Sequence, residues 1–256
     1  MKLRMSNHCG FTLVELLVVI TTIVVLLALL TPAMDKAIYR AEQVRCLANI
    51  KGQYTAITTY AFDNKRSYFY RNASAPTYQR TGETPSPVDL LKSKYMPAAM
   101  IICPIVAGVP SQDNGAFKRT DWRSEFGNVG DLSWGGWDAD PQPFHIYSAY
   151  MWMAAYNAGG EPITMYEDEG KPPRSIRETH PKTTLFTHRY NEHNSNSIHE
   201  ECHNGRGTGV SGTFATNPEI TDMPIGFGDG SATYRTRDEF KLRMFIPPGG
   251  LRNFYW

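Results

Sequence analysis

The sequence has few cysteines, almost no excess charge of either sign, and a single long apolar run. Four cysteines in 256 residues are too few for a disulfide-rich scaffold. A formal net charge of +1 excludes the strong overall basic charge typical of nucleic-acid-binding proteins, so no nucleic-acid partner is expected. A single apolar run excludes a polytopic membrane protein. A nucleophile elbow, a P-loop and a dinucleotide-binding fingerprint are also absent, so these motifs predict no enzyme class.

The apolar run begins at Phe11 and ends at Thr31, and Glu15 is its only charged residue. As a helix it would cover about 30 Å, the thickness of the hydrocarbon core of a bilayer, and it is too long for a β-strand. Ten residues precede it, with Lys2 and Arg4 and no acid. The sequence therefore predicts one membrane-spanning helix whose N-terminus faces the cytoplasm.

Glu15 distinguishes between three interpretations of this segment. A secretory signal peptide has a shorter apolar core followed by a small-residue cleavage site, which the Thr-Pro-Ala-Met at residues 31–34 does not match. A plain signal anchor fits the length and the basic flank but gives no reason for Glu15. A carboxylate in lipid costs a few kcal/mol unless it is paired, so we expect Glu15 to have a partner in the working assembly.

The third interpretation comes from residues 10–15, which read Gly-Phe-Thr-Leu-Val-Glu. This segment resembles the processing site of type IV prepilins and type II secretion pseudopilins. The resemblance implies that a prepilin peptidase cleaves between Gly10 and Phe11 and that the new amine of Phe11 is methylated. It also implies that Glu15 compensates the N-terminal charge of a neighbouring subunit. In lipid a carboxylate and an ammonium are each costly alone and tolerable as a pair.

Later segments resemble a large pseudopilin-like group with secretion-type N-termini. They are RCLANIK at 45–51, YMP at 95–97 with ICP at 102–104, YSAY at 147–150, PKTTLF at 181–186, HNG at 203–205 and FGDG at 227–230. In that group the last two form a C-terminal His-x9-Asp-Gly element. Here 25 residues separate His203 from Asp229, so the spacing departs from the pattern.

Residues 33–61 place small and apolar side chains mostly three or four positions apart, which predicts a helix with one face against a sheet. Pro32 either kinks this helix or separates it from the membrane span. Strand-like patterns occupy residues 144–157 and 183–187, and a hairpin is predicted over residues 224–236, around Gly-Asp-Gly.

Together with the resemblance, these patterns predict an α+β, pilin-like fold. In this fold a long N-terminal helix, half transmembrane and half amphipathic, packs on a small antiparallel β-sheet with long loops. The expected divisions are a cleaved basic leader at 1–10, a membrane and filament-core helix at 11–32, its amphipathic continuation at 33–61, and a periplasmic or extracellular domain at 62–256.

Residues 199–203 read His-Glu-Glu-Cys-His, which formally matches the H-E-x-x-H motif of zinc metalloproteases. That motif needs a helix, whereas asparagines and serines precede this segment and Asn-Gly follows it, as in a loop. Catalytic zinc is therefore not expected. A structural or adventitious metal on His199, Cys202 and His203 stays open beside a plain polar loop.

Two further sites stay open. Some secretion pseudopilins bind a structural calcium in a C-terminal loop, and Asp222 and Asp229 offer the oxygen ligands that calcium prefers, although an EF-hand spacing is absent. No other cofactor is predicted. Removal of the leader leaves Cys46, Cys103 and Cys202. An exported domain permits one disulfide among them, and its pairing stays open.

The sequence thus predicts a structural filament subunit and not an enzyme. Its expected partners are other pilin or pseudopilin subunits, the prepilin peptidase, a secretion or pilus assembly platform and membrane lipid. The expected location is the inner membrane, crossed once. Two alternatives remain: an anchored zinc hydrolase, and an anchored surface module that binds polysaccharide through exposed aromatic side chains. Those aromatic residues would be Trp122, Trp134, Trp137, Tyr150 and Trp152.

Overall fold

A computed structural model of the chain contains two compact units, divided between Ala41 and Glu42. It describes residues 12–69, 71–72, 78–80, 95–97, 100, 103–105, 145–147, 150–157, 164–165, 171–188, 190–193, 199–200, 203, 221–246 and 252–255.

The first long element is helix α1, Leu13–Asp63, which continues through Pro32 without a break. The proline therefore does not end the helix at the edge of the apolar run. Residues up to Ala41 belong to the first unit, and the apolar side chains there are exposed, from 85% at Leu13 to 45% at Val19. Among the described residues, none buries an apolar side chain of this part of the helix.

The second unit is built from short strands. They are β1 (Arg71–Asn72), β2 (Tyr78–Arg80), β3 (His145–Tyr147), β4 (Tyr150–Trp152), β5 (Tyr156–Asn157), β6 (Thr164–Met165), β7 (Thr184–His188), β8 (Tyr190–His193), β9 (His199–Glu200), β10 (Asp222–Phe227), β11 (Ala232–Thr236), β12 (Leu242–Ile246) and β13 (Arg252–Tyr255). Single turns of 3-10 helix occupy Ile176–Glu178 and Arg237–Glu239.

The central sheet has four antiparallel strands in the order β11-β10-β7-β4. A five-stranded antiparallel sheet has the order β6-β12-β13-β8-β9, while β1 pairs with β5 in parallel and β2 with β3 antiparallel. The predicted strand at 183–187 corresponds to β7, but the stretch 144–157 forms three short strands and not one.

The predicted hairpin at 224–236 is confirmed as β10 and β11, with Ile225 opposite Thr233. Its turn contains Gly230 at a φ of 81°, a conformation that glycine adopts without steric cost. The Asp229 side chain accepts a hydrogen bond from the backbone N–H of Ser231 at 2.8 Å. This bond closes the turn locally, as aspartate commonly does.

The core of the second unit lies between helix α1 and the central sheet. The helix buries residues three or four positions apart, as its amphipathic pattern predicts: Cys46, Ile50, Gln53, Ala56, Ile57, Tyr60 and Ala61. On the sheet side, Trp152 of β4 packs edge-on against Phe186 of β7 and beside Phe69. The α+β fold with a long apolar helix and a small antiparallel sheet is thereby confirmed.

Gly226 sets how closely the helix approaches β10, because a Cβ atom at this position would overlap Cγ2 of Ile50. We expect Gly226→Val to lower the free energy of unfolding by about 1–3 kcal/mol, the usual cost of overpacking a filled core. The measurement is the urea unfolding midpoint of the purified chain. Thr233→Val, at an exposed position of β11, is the control, and equal midpoints for the two variants would contradict the close approach.

Candidate functional sites

The first candidate site is the start of helix α1, where Thr12 and Glu15 form a reciprocal cap. The backbone N–H and the hydroxyl of Thr12 donate to Oε2 of Glu15 at 2.8 and 2.7 Å. In return the N–H of Glu15 donates to Oγ1 of Thr12 at 3.2 Å. This is a capping box, which satisfies backbone donors at a helix start. Glu15 therefore has a structural role within its own chain, in addition to the charge pairing that the resemblance implies.

The apolar part of helix α1 is the only described helix that is long and apolar enough to cross a membrane. Its side chains are exposed on every face between Leu13 and Leu30. Among the polar residues of this stretch, the hydroxyls of Thr21 and Thr22 donate back to the carbonyls of Val18 and Val19. Because these hydroxyls are satisfied within the helix, Thr21 and Thr22 are compatible with a lipid environment.

The second candidate site is a cluster of two thiols and two imidazoles in the second unit, here called the Cys/His cluster. It consists of Cys46 on helix α1, Cys103 just before a turn, His188 at the end of β7 and His203 next to β10. One Sγ or ring nitrogen from each residue lies within 4.8 Å of the others. All four side chains have an exposed fraction of 0%.

Hydrogen bonds link the members of the Cys/His cluster in pairs. Sγ of Cys46 lies 3.4 Å from Nε2 of His188, and Sγ of Cys103 lies 3.3 Å from Nε2 of His203. The hydroxyl of Tyr150 approaches Sγ of Cys46 to 3.2 Å. The two imidazole rings pack edge to face, with centroids 4.6 Å apart. Both Nε2 atoms thus face sulfur.

The other nitrogen of His203 is held by a carboxylate. Nδ1 lies 2.7 Å from Oδ1 of Asp222, and because an ionised carboxylate only accepts, Nδ1 carries the proton. Oδ2 of Asp222 accepts from Gln43 at 3.2 Å and from the hydroxyl of Thr221 at 2.9 Å. A backbone bridge also joins His203 to Asp222. The orientation of the His203 ring is therefore fixed.

Burial and these contacts shift the proton affinities of the cluster. Burial raises the pKa of the Cys103 thiol to about 11, and the neighbouring Cys46 adds to the shift. For His203, burial alone would lower the pKa, but the hydrogen bonds to Asp222 and Cys103 outweigh it and raise the pKa to about 9. Without a metal, Cys103 is therefore a neutral thiol at neutral pH, and the His203 ring carries a proton on each nitrogen.

The structure separates the residues that the sequence analysis grouped as metal ligands. Asp222 contacts His203, whereas Asp229 is exposed in the hairpin turn and binds Ser231. His199 begins the two-residue strand β9, so the helix that H-E-x-x-H requires is absent there. Cys202 lies outside the described residues. Cys46 and Cys103 are free thiols in the structure.

The prediction of exposed aromatic residues is wrong for two of its members. Tyr150 and Trp152 are 0% and 1% exposed, because β4 lies in the sheet that faces helix α1. Trp122, Trp134 and Trp137 lie outside the described residues. His188 was not among the predicted ligands, and its position at the end of a β-rich stretch is the one signal that the sequence offers for it.

One comparison with known proteins bears on the first site. Residues 5–31 match the family described as the prokaryotic N-terminal methylation motif. The chain carries a prepilin-type methylation motif. The matched range includes Gly10, Phe11 and Glu15, and the motif together with the apolar helix supports a type IV pilin-like protein. No curated protein and no solved structure matches the chain.

The methylation motif and the exposed helix agree with each other. The motif is the prepilin-type signature, and such proteins assemble with other pilin subunits in filaments. The exposed apolar part of helix α1, which overlaps the matched range, fits membrane anchoring. The motif is typical of structural proteins.

Proposed function

We propose that this protein is a pseudopilin, a structural subunit of a filament in a type II secretion-like or pilus-like system. The prepilin peptidase removes residues 1–10, the amine of Phe11 is methylated, and the subunit enters the filament through helix α1. The observation that carries this proposal is the methylation motif at residues 5–31, which overlaps a helix whose apolar side chains are exposed in the described part of the chain.

The exposed apolar helix is suited to two environments in succession, first the lipid bilayer and then the filament. Lipid solvates the apolar side chains as well as another helix would, so the segment is stable as a membrane anchor before assembly. In a filament, neighbouring copies of the same segment replace the lipid by side-chain packing. The basic leader, with Lys2 and Arg4, favours a cytoplasmic N-terminus, and the domain after the span then lies on the periplasmic or extracellular side.

Glu15 supports assembly by its charge. After cleavage the amine of Phe11 is a cation at the end of an apolar helix, and Glu15 is the only acid in that helix before Asp35. Pairing the carboxylate with the amine of a neighbouring subunit removes two uncompensated charges from apolar surroundings. The partners of this step are other pilin or pseudopilin subunits and an assembly platform in the inner membrane.

Mass spectrometry of the mature N-terminus tests the processing step. We expect the N-terminal peptide of the protein purified from its native membrane to begin at Phe11 with one added methyl group. A Gly10→Leu variant is expected to keep residues 1–10, because the leader in this family ends in glycine. An intact Met1 in the unmodified protein, or cleavage of the variant at the same bond, would contradict the proposal.

A further inference from the structure

We propose that Cys46, Cys103, His188 and His203 bind one zinc ion in a closed, structural site that ties helix α1 to the central sheet. This site goes beyond the role of the protein in a filament. It also differs from the metal sets that the sequence analysis left open, with which it shares only His203.

The spacing of the four ligand atoms fits a tetrahedral ion. With Zn–S bonds of about 2.3 Å and Zn–N bonds of about 2.0–2.1 Å, neighbouring ligand atoms in such a site lie about 3.3–3.8 Å apart. The two Sγ–Nε2 distances here are 3.4 and 3.3 Å, and all four atoms lie within 4.8 Å of one another. Small side-chain rotations bring the remaining pairs to the tetrahedral spacing.

The surroundings of His203 are those of a zinc ligand. A ligating histidine usually donates its second N–H to a carboxylate, which fixes the ring and increases its basicity. Nδ1 of His203 makes this bond to Asp222, which Gln43 and Thr221 hold in turn. The arrangement leaves Nε2 of His203 directed at Cys103, so loss of the Nε2 proton would give a metal the lone pair of that nitrogen.

The charges of the cluster favour zinc in a buried position. Two thiolates and two neutral imidazoles around Zn²⁺ have no net charge, so burial of the complete site avoids the cost of an isolated ion. Binding of the ion displaces the protons of the two thiols and the Nε2 proton of His203, and these protons are released to solvent. A tetrahedral set of two sulfurs and two nitrogens is also typical of zinc.

The burial of all four ligands argues for a structural role. A catalytic zinc keeps an open position for water or substrate, whereas a structural zinc has four protein ligands. The cluster supplies four, and each is 0% exposed. A Cys46–Cys103 disulfide, the main alternative in an exported domain, would use both sulfurs and leave two imidazoles directed at atoms that can no longer ionise or donate.

The proposed zinc joins segments that are far apart in the chain. Cys46 and His188 are 142 positions apart, and Cys103 and His203 are 100 apart. Cross-links that close long loops restrict the unfolded chain most, and an ion that binds only the folded state stabilises that state by mass action. The site would therefore hold the second unit together in a domain made of short strands.

The direct test is the metal content of the full mature chain, purified in detergent without chelators and without a polyhistidine tag. We expect about one zinc per chain by inductively coupled plasma mass spectrometry. A Cys46→Ser/Cys103→Ser double variant is expected to lose zinc at least tenfold. Cys202→Ser, which changes the cysteine outside the cluster, is the matched control and is expected to retain it.

X-ray absorption on the unmodified protein keeps the test independent of variants that fail to fold. We expect a zinc shell of two sulfurs at about 2.3 Å and two nitrogens at about 2.0–2.1 Å. A shell of oxygen and nitrogen alone would overturn the proposal, as would a Cys46–Cys103 disulfide in a non-reducing peptide map. Loss of zinc in Cys202→Ser but not in the double variant would also overturn it, by placing the ion on residues 199–203.

Discussion

Replacing Glu15 with glutamine is expected to block entry of the subunit into filaments while cleavage of the leader continues. The substitution removes the carboxylate that pairs with the Phe11 amine of a neighbouring subunit. An unpaired buried charge costs about 3–5 kcal/mol, and about 1.4 kcal/mol corresponds to a factor of ten. We therefore expect the filament fraction of Glu15→Gln to fall at least about a hundredfold, measured by immunoblot of sheared filaments against membranes.

Glutamine is the informative replacement because of the capping box at the helix start. Oε2 of Glu15 accepts hydrogen bonds from the N–H and the hydroxyl of Thr12, and the amide oxygen of glutamine can accept them too. Glu15→Gln thus removes the charge and keeps the cap. Thr12→Ala is the matched control, because it removes the Thr12 hydroxyl and keeps the charge, at a cost of about 0.5–2 kcal/mol in helix stability.

The two variants separate the two roles of Glu15. If the charge pair governs assembly, Thr12→Ala still enters filaments and Glu15→Gln does not. Normal filaments from Glu15→Gln would refute the charge pair. If Glu15→Gln assembles and Glu15→Ala does not, the capping box accounts for the requirement. The N-terminal peptide mass of each variant reports leader cleavage separately, so a processing defect is not mistaken for an assembly defect.

The parts of the molecule that the sequence predicts well are those determined by local patterns. The apolar run between Phe11 and Thr31 and the helical spacing up to Ala61 predict one long helix, and the structure extends it from Leu13 to Asp63. The Gly-Asp-Gly turn predicts the β10–β11 hairpin. In each case residues near one another in the sequence make the contacts that decide the structure.

The Cys/His cluster could not be predicted in this way, because its members come from four distant segments. His203 was a candidate ligand, but its expected partners, His199 and Cys202, were its sequence neighbours. A strand at His199 sends successive side chains to opposite faces, whereas the cluster depends on which face of helix α1 meets which strands. That choice follows from core packing, including the close approach at Gly226.

The spacing between His203 and Asp229 illustrates the same limit. The resemblance paired these two residues as halves of one element, although the gap of 25 residues departs from its pattern. In the structure the carboxylate that holds His203 is Asp222, at the start of β10, and Asp229 closes the turn at the other end of that strand. The strand between them separates the two acids, so they have different roles.

Truncation of Phe186 is expected to cause the largest loss of stability in the second unit. This side chain is 0% exposed, packs edge to face on Trp152 with ring centroids 5.8 Å apart, and lies opposite Gly226 of β10. Phe186→Ala removes a buried ring from a strand with neighbours on both sides, so the cavity cannot collapse easily. We expect the free energy of unfolding to fall by about 3–5 kcal/mol.

Phe62→Ala is the matched control for this experiment, because it makes the same chemical change at a side chain that is 67% exposed on helix α1. We expect a change within about 0.5 kcal/mol for Phe62→Ala. Urea unfolding of the detergent-solubilised chain, followed by tryptophan fluorescence, gives both values. Similar midpoints for the two variants would mean that the contact between β4 and β7 does not form the core. A large difference would show that the domain depends on this aromatic contact, which also holds Tyr150 of β4 beside Cys46.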